Sequence, residues 1–335
     1  MSAASAATQD SWSGEPFAAL AARYADALDA GQESALREAL GRAPSPGVWR
    51  DMAAALEQAM EPEPGGLATR LFAIPVAIVA GGRAGVRIPA TLPDVERLRD
   101  VLRGSGALGP VTNFGTGNAL CGAGALEGLS WARLRRFARA TDEAAAGDGW
   151  FELPPDDLIL PGQDESVHLR FLAGAAVSPA NASTFLETAS AISTWGVPFT
   201  RELSAQLQGE GTSVVAIPRP PAAILRAIAA GSAAEQELGL QAFVSRALRR
   251  FRSETGEPDV SVAALTGGAV GLRFASPFAE NRVDVHERRL HPCEDWDAVL
   301  REILQLLEDC RVGNVHVVAR VSDPEQFRAG RFSPH

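Results

Sequence analysis

A glycine-rich stretch in the first half of the chain carries residue types that could hold a small anion. Residues 111–124, VTNFGTGNALCGAG, contain four glycines whose backbone amides could approach such a ligand closely. The spacing does not complete a dinucleotide-binding fingerprint, because Leu120 occupies the place of the third glycine. The stretch is therefore either a ligand-binding loop or a purely structural loop. Its candidate ligand-binding residues are Asn113, Gly115, Thr116, Gly117 and Asn118.

Cys121 lies inside the same stretch and is the candidate nucleophile of the chain. A thiol close to backbone amides or to the start of a helix has a lowered pKa and reacts more readily. His168 is the only histidine in the same half of the sequence that could act as its base. The alternative interpretation is a buried, inert cysteine.

Arginines cluster in two helical segments that share the sequence LRRF, at residues 134–137 and 248–251. Cations near the end of a helix complement the helix dipole and cover apolar surface, which is the simpler interpretation. The other interpretation is that equivalent helices present guanidinium groups to an anionic ligand or to an acidic partner surface. The candidates are Arg135, Arg136, Arg249 and Arg250.

Two histidines and two cysteines near the C-terminus could in principle bind zinc: His291, Cys293, Cys310 and His316. The predicted helix between the two cysteines would separate the pairs by about 25 Å at 1.5 Å per residue. We therefore predict no metal site, and we leave open whether these four residues meet.

All 31 basic residues are arginines, so the chain contains no lysine. A Walker A loop, a pyridoxal-phosphate enzyme and a protein kinase each need a lysine, and these classes are excluded. No cofactor is expected. The formal charge of −10 provides no broad basic field for phosphate backbones, so nucleic-acid binding is not expected either.

The sequence also bears on where the protein works. Residues 1–16 have neither the basic nor the apolar region of a secretory signal. The most apolar run, residues 71–82, is shorter than the roughly twenty residues of a spanning helix and contains Pro75. Three cysteines are too few for a disulfide framework. We expect a soluble, cytoplasmic protein without membrane insertion.

The pattern of apolar residues predicts a mixed α/β (α+β) fold with mixed sheets. Residues 1–62 are predicted as a helical N-terminal segment, and the prolines and glycines of 61–66 suggest that it is a detachable docking element. Residues 67–165 form a first α/β unit. Residues 166–335 form a second unit, which ends in a lobe of β-hairpin, strand, helix and strand.

Each α/β unit contains one of two similar segments, and this similarity suggests an internal duplication. PDVERLRDVLRGSG at 93–106 and PFTRELSAQLQGEG at 198–211 both begin with proline, place leucines four apart and end with glycine. Each is predicted as a helix that starts near its proline. Many unrelated helices have a proline at the start, leucines four residues apart and a glycine at the end, so chance similarity is the alternative.

These observations favour a non-catalytic accessory or assembly protein that acts through a protein partner, with self-association into a homo-oligomer also open. The main alternative is an enzyme acting on a small anion, held by loop 111–124 and the arginines. A sensor that binds such an anion without turnover is the third hypothesis.

Overall fold

The computed structural model describes residues 14–27, 29–60, 66–134, 136–137, 153–162, 165–180, 189–279 and 282–330. It divides the chain into two compact units, Met1–Glu235 and Gln236–His335. Helices and several sheets are mixed behind a helical N-terminal segment, which confirms the predicted fold class. None of the helices in the described ranges is both long enough and apolar enough to cross a membrane.

Three helices open the first unit: α1 (Gly14–Ala27), α2 (Ala30–Gly41) and α3 (Pro46–Met60). Asp29 begins α2 as its N-cap, since its side chain accepts a hydrogen bond from the amide of Gln32 at 2.9 Å. Spacings of three and four residues place the apolar side chains on one face of each helix. The buried ones include Phe17, Ala21, Tyr24, Leu36, Trp49, Met52 and Leu56.

Four strands follow one another across the main sheet of the first unit: β1 (Leu67–Gly82), β3 (Asn113–Thr116), β5 (Ser166–Pro179) and β6 (Thr212–Pro218). Three further strands have two residues each. β2 (Arg87–Ile88) pairs with β4 (Leu158–Ile159) in a separate small sheet, and β7 (Ala222–Ala223) pairs with β1. The helices of this region are α4 (Val95–Ser105), α5 (Ala123–Glu127), α6 (Ala189–Leu207) and the first turns of α7 (Ile224–Glu254).

The order of strands in this sheet is β3-β5-β1-β6, with every neighbouring pair antiparallel. The chain traces β1-α4-β3 and then β5-α6-β6, and the last strand of each half pairs with the first strand of the other. This is the β-α-β-β-α-β arrangement called ferredoxin-like. The two similar segments, 93–106 and 198–211, thus lie in the equivalent helices α4 and α6. Common ancestry of the two halves stays a hypothesis.

One face of the sheet is covered by α4 and α6, whose repeated leucines face a shared core: Leu98, Leu102, Leu203 and Leu207. The prediction that the second helix starts near its proline is wrong, because α6 begins at Ala189 and Pro198 lies inside it. Trp195, one turn before the proline, is fully buried. Its ring packs edge-on against the ring of Phe199, with 5.3 Å between the ring centroids. Burial of this indole favours a helix that continues through the proline.

The other face of the sheet is buried as well, because α7 crosses it at close range. Gly231 of α7 has no side chain, and a Cβ there would lie 2.9 Å from atoms of both Leu169 and Phe171 on β5. The α3 helix reaches the same face, where Thr69 and Leu71 of β1 lie near Leu56. A sheet buried on both faces explains why β1 reads as a continuous apolar run.

A buried carboxylate attaches the N-terminal helices to the rest of the unit. Glu33 on α2 is 9% exposed and accepts a hydrogen bond from the Tyr24 hydroxyl at 2.6 Å and from the amide of Trp131 at 3.2 Å. Arg37 pairs with the same carboxylate at 2.8 Å and donates to the carbonyl of Leu129 at 2.8 Å. These contacts tie the segment to the rest of the first unit; its role as a docking element stays a prediction.

The second unit contains a four-stranded sheet with the order β10-β9-β8-β11. Its strands are β8 (Asp259–Leu265), β9 (Ala269–Ala275), β10 (Val283–Arg289) and β11 (Asn314–Val321), and its helices after α7 are α8 (Trp296–Asp309) and α9 (Pro324–Arg328). Gly267 and Gly268 turn β8 into β9 with positive φ angles of 83° and 72°. The last strand, β11, runs parallel to β8.

Replacing Glu33 by alanine is expected to lower the free energy of unfolding by about 2–3 kcal/mol. The substitution leaves the buried Tyr24 hydroxyl and the Trp131 amide without their acceptor and deprives Arg37 of its carboxylate. Urea unfolding of the full chain, followed by tryptophan fluorescence, measures the change.

The matched control is Glu38→Ala on the same helix, where the pair with Arg42 is largely exposed to solvent. Its effect should stay within about 0.5 kcal/mol. Equal losses in the two variants would contradict the anchoring role of Glu33.

Candidate functional site

The glycine-rich stretch is mostly a sheet edge. Its first part is β3, paired with β5 from Asn113 opposite Val177 to Thr116 opposite Gly174. Beyond the strand, the amides of Gly117, Leu120 and Cys121 donate to the carbonyls of Ala173, Ala90 and Phe171 at 2.9, 2.9 and 3.0 Å. These three amides already have acceptors within the protein, so they are not available to an anion.

The polar side chains of the stretch point to structural contacts or to solvent. Thr116 is fully buried, and its hydroxyl accepts a hydrogen bond from Nε of Arg99 at 3.3 Å. Asn113 is exposed, and its side-chain oxygen accepts from the amide of Phe114 at 2.9 Å. Asn118 is also exposed, and its backbone carbonyl accepts from the amide of Leu92 at 2.8 Å. Gly115 and Gly117 lie along the backbone ladder.

Cys121 has the environment of an inert thiol. Its side chain is 1% exposed, and Sγ donates to the carbonyl of Phe171 at 3.5 Å. Burial, together with the negative charge of Asp156, raises the pKa of the thiol to about 12. His168 bonds the hydroxyl of Ser166 at 2.7 Å, and burial together with Arg170 lowers the pKa of its ring. No hydrogen bond joins the two predicted partners, Cys121 and His168, which are both in the described part of the chain.

The candidate arginines fall in different surroundings. Arg135 lies outside the described residues, and Arg136 is exposed on the first unit. Arg249 is exposed on the second unit. Arg250 forms an ion pair with Asp284 of β10, and its Cζ lies 5.7 Å from the centroid of the Phe251 ring. For Arg250 the simpler interpretation, a cation that covers and pins a helix surface, fits these contacts.

The four candidate zinc ligands do not assemble. Nδ1 of His291 lies 3.0 Å from Sγ of Cys293, so this pair does meet. Cys310 caps the end of α8, and His316 is exposed on β11. In the described ranges, no group of three His, Cys, Asp or Glu side chains is arranged to hold a metal ion.

Within the described residues, three of the four edges of the two larger sheets are blunted against further pairing. The β3 edge is only four residues long. The β6 edge is covered by α6, since the amides of Ala216 and Val214 donate to the side chains of Ser204 and Gln208 at 2.9 and 3.3 Å. Charged side chains follow β10, where Asp284 pairs with Arg250 and Glu287 with Arg328 at 2.7 Å.

The fourth edge, that of β11, is different. β11 is eight residues long, contains four valines and no carboxylate, and its pairing with β8 is regular from Asn314 to Val318. Val317 is 40% exposed on this edge strand. Within the described residues nothing pairs with the outer side of β11. We call Asn314–Val318 the open edge; it is the candidate interaction site.

Sequence patterns predicted β11 as a strand but gave no sign that it lies at an edge. The order of strands depends on tertiary contacts, and a parallel partner 55 residues earlier leaves no mark in the local sequence. The absence of acidic residues from NVHVVARV, in so acidic a chain, is the one signal that could have directed attention to it.

Comparisons with protein-family models, with curated proteins and with solved structures give no match. The site therefore has to be interpreted from its own geometry.

We expect Cys121 to resist alkylation in the folded protein. At pH 8 a thiol with a pKa of about 12 has almost no thiolate, and burial blocks the reagent. Cys293 and Cys310 are partly exposed and should be labelled by iodoacetamide first. Mass spectrometry of peptides before and after unfolding in urea identifies the labelled residues. Rapid native labelling of Cys121 would favour the enzyme hypothesis instead.

Proposed function

We propose that this chain is a cytoplasmic, non-catalytic accessory or assembly protein that acts by binding another protein. The single observation that carries the proposal is the open edge of β11. An extended segment can add to such an edge as a further strand, with main-chain hydrogen bonds supplying affinity and side-chain contacts supplying specificity. The blunting of the other three edges supports a dedicated role for this one.

The side chains along β11 define what the added strand should look like. Val317 is exposed and adjoins Val315, which packs against the core of the second unit, so an apolar residue of the partner can bury surface there. His316 and Arg320 are exposed, and no carboxylate lies between 314 and 321. The favoured occupant is an extended segment of a partner protein with an apolar residue opposite Val317 and a carboxylate near Arg320.

A second copy of this chain is a less favourable occupant. Each copy carries a formal charge of −10, so two copies repel each other at low ionic strength. Arg320 of one β11 would also find no acidic residue in the β11 of another. A different, locally acidic partner removes both costs.

The alternative function, binding of a small anion by residues 111–124, receives less support. The amides and hydroxyl that this function needs are engaged in hydrogen bonds within the first unit. Among the described residues no specific contact favours catalysis over binding, so the proposal remains with protein–protein interaction.

Site-specific photo-crosslinking tests the proposal in the cells that naturally express the protein. A benzophenone amino acid is placed at position 317, and the control carries it at position 215, an equally exposed valine on the covered β6 edge. A discrete crosslinked partner from position 317 alone supports the proposal. Crosslinking only to the protein itself, to no protein, or equally from both positions overturns it.

The partner identified in this way allows a quantitative prediction. Val317→Glu places a carboxylate on the edge, and it should weaken binding to the purified partner at least tenfold, because the charge is desolvated when a strand is added. Val215→Glu, from a residue 46% exposed, should leave the affinity unchanged. Isothermal titration calorimetry measures both, and circular dichroism checks that both variants are folded.

A further inference from the structure

Four side chains form a row across the sheet of the second unit. In the strand order β10-β9-β8-β11 they are Val285, Arg273, Ser261 and His316, because each is paired with the next in the register. Paired residues on neighbouring strands project from the same face of a sheet, and the strands lie about 4.8 Å apart. The backbones at Arg273 and His316 are therefore about 10 Å apart, with the short side chain of Ser261 between them.

This row lies on the face of the sheet that α9 covers in part. Phe327 of α9 packs over the adjacent row, which consists of Gly271, Ala263 and Val318. Beyond this aromatic ring, Arg273 is partly exposed and His316 is exposed. Ser261 is 7% exposed and forms the floor between them. A small solute can thus reach both of the longer side chains.

Arg273 carries a positive charge that has no counterion among the described residues. Its Nε donates to the carbonyl of Arg328 at 3.4 Å, and no carboxylate in the described ranges forms an ion pair with it. Burial alone lowers the pKa of this guanidinium. The group has therefore lost part of its hydration without gaining a salt bridge, which favours an anion supplied from outside the chain.

Two carboxylates share this face, one row away on either side, and both have other partners. Glu287, next to Val285 on the same side of β10, pairs with Arg328 at 2.7 Å. Asp259, next to Ser261 on the same side of β8, accepts a hydrogen bond from the side chain of Asn314 at 3.1 Å. These contacts leave the guanidinium of Arg273 available to a ligand.

We infer that Arg273, Ser261 and His316 bind a phosphate group, either as inorganic phosphate or as a phosphomonoester. The guanidinium fork can donate two hydrogen bonds to phosphate oxygens, and the hydroxyl and the imidazole can donate to the others. A tetrahedral anion presents oxygens in several directions, so it can contact donors from three strands. A planar carboxylate would engage mainly the fork of Arg273.

The inference is independent of the protein partner proposed above. Although His316 belongs to the open edge, a partner strand would add to the outer side of β11, whereas the phosphate would lie over Ser261 on the face of the sheet. Phosphate binding is measured on the purified chain alone. Its failure would therefore leave the proposed partner untouched, and failure of the crosslinking would leave the phosphate site untouched.

Titration of the full-length protein with inorganic phosphate at constant ionic strength, followed by amide TROSY NMR, tests the inference. Saturable shifts of the backbone amides around positions 261, 273 and 316 are expected for the wild type. Arg273→Gln removes the guanidinium and should raise the Kd at least tenfold. His316→Gln should raise it about threefold. The matched control, Arg249→Gln, removes an exposed arginine of α7 and should leave the Kd within about twofold.

Parallel titrations with glycerol phosphate and with acetate identify the chemistry of the ligand. Saturable binding of either phosphate compound that is weakened in Arg273→Gln supports the inference, and the tighter of the two shows whether the free anion or an ester is preferred. Acetate should bind at least tenfold more weakly, because it can use fewer of the donors.

Three results overturn the inference: no saturable shifts in the folded wild type, an unchanged Kd in both Arg273→Gln and His316→Gln, or acetate binding as tight as phosphate binding. Thermal unfolding without phosphate shows whether each variant is folded. Arg273→Gln should be at least as stable as the wild type, since it removes a partly buried charge that lacks a counterion. His316→Gln changes an exposed side chain and keeps the inference testable by itself.

Discussion

The architecture of the first unit depends on the long antiparallel pairing of β1 with β5. Fourteen residue pairs, from Leu67 with Pro179 to Ala80 with Ser166, form its backbone ladder. These two strands are central in the sheet and apolar on both faces, so both faces must be covered. The helices α4 and α6 cover one face. The other needs α7 and the N-terminal helices, which is why the helical segment is integral to the unit.

Close packing on this double-faced sheet is made possible by small residues at particular crossings. At Gly174 an added Cβ would meet the carbonyl of Gly115 and the ring of Phe72, so the short β3 strand can pair closely with β5. Gly231 similarly admits α7 against Phe171. Where α3, β1 and α7 meet, the packing leaves a small pocket beside Thr69. The same constraint thus produces both the tight contacts and this small pocket.

In the second unit, α7 and α8 cover one face of the sheet, and the β11 edge of the sheet is open. Its core joins Val244, Leu248 and Phe251 of α7 with Val299, Ile303 and Leu307 of α8. On the opposite face, Phe327 of α9 lies directly over Gly271, where a Cβ would be 2.5 Å from the ring. Neither layer covers the outer side of β11 within the described residues, so the open edge combines a rigid support with unpaired backbone.

Local sequence determined most of the elements, the fold class and the exclusion of lysine-dependent chemistry. The amphipathic helix α8, the glycine turn at 267–268 and the apolar run of β1 are local signals, since they depend on periodicity and on backbone conformations that a few residues dictate. Tertiary structure alone decided three things: the helix through Pro198, the paired amides of 111–124 and the edge position of β11. Each depends on residues far apart in the sequence, and burial or strand order there outweighs the local preference of the chain.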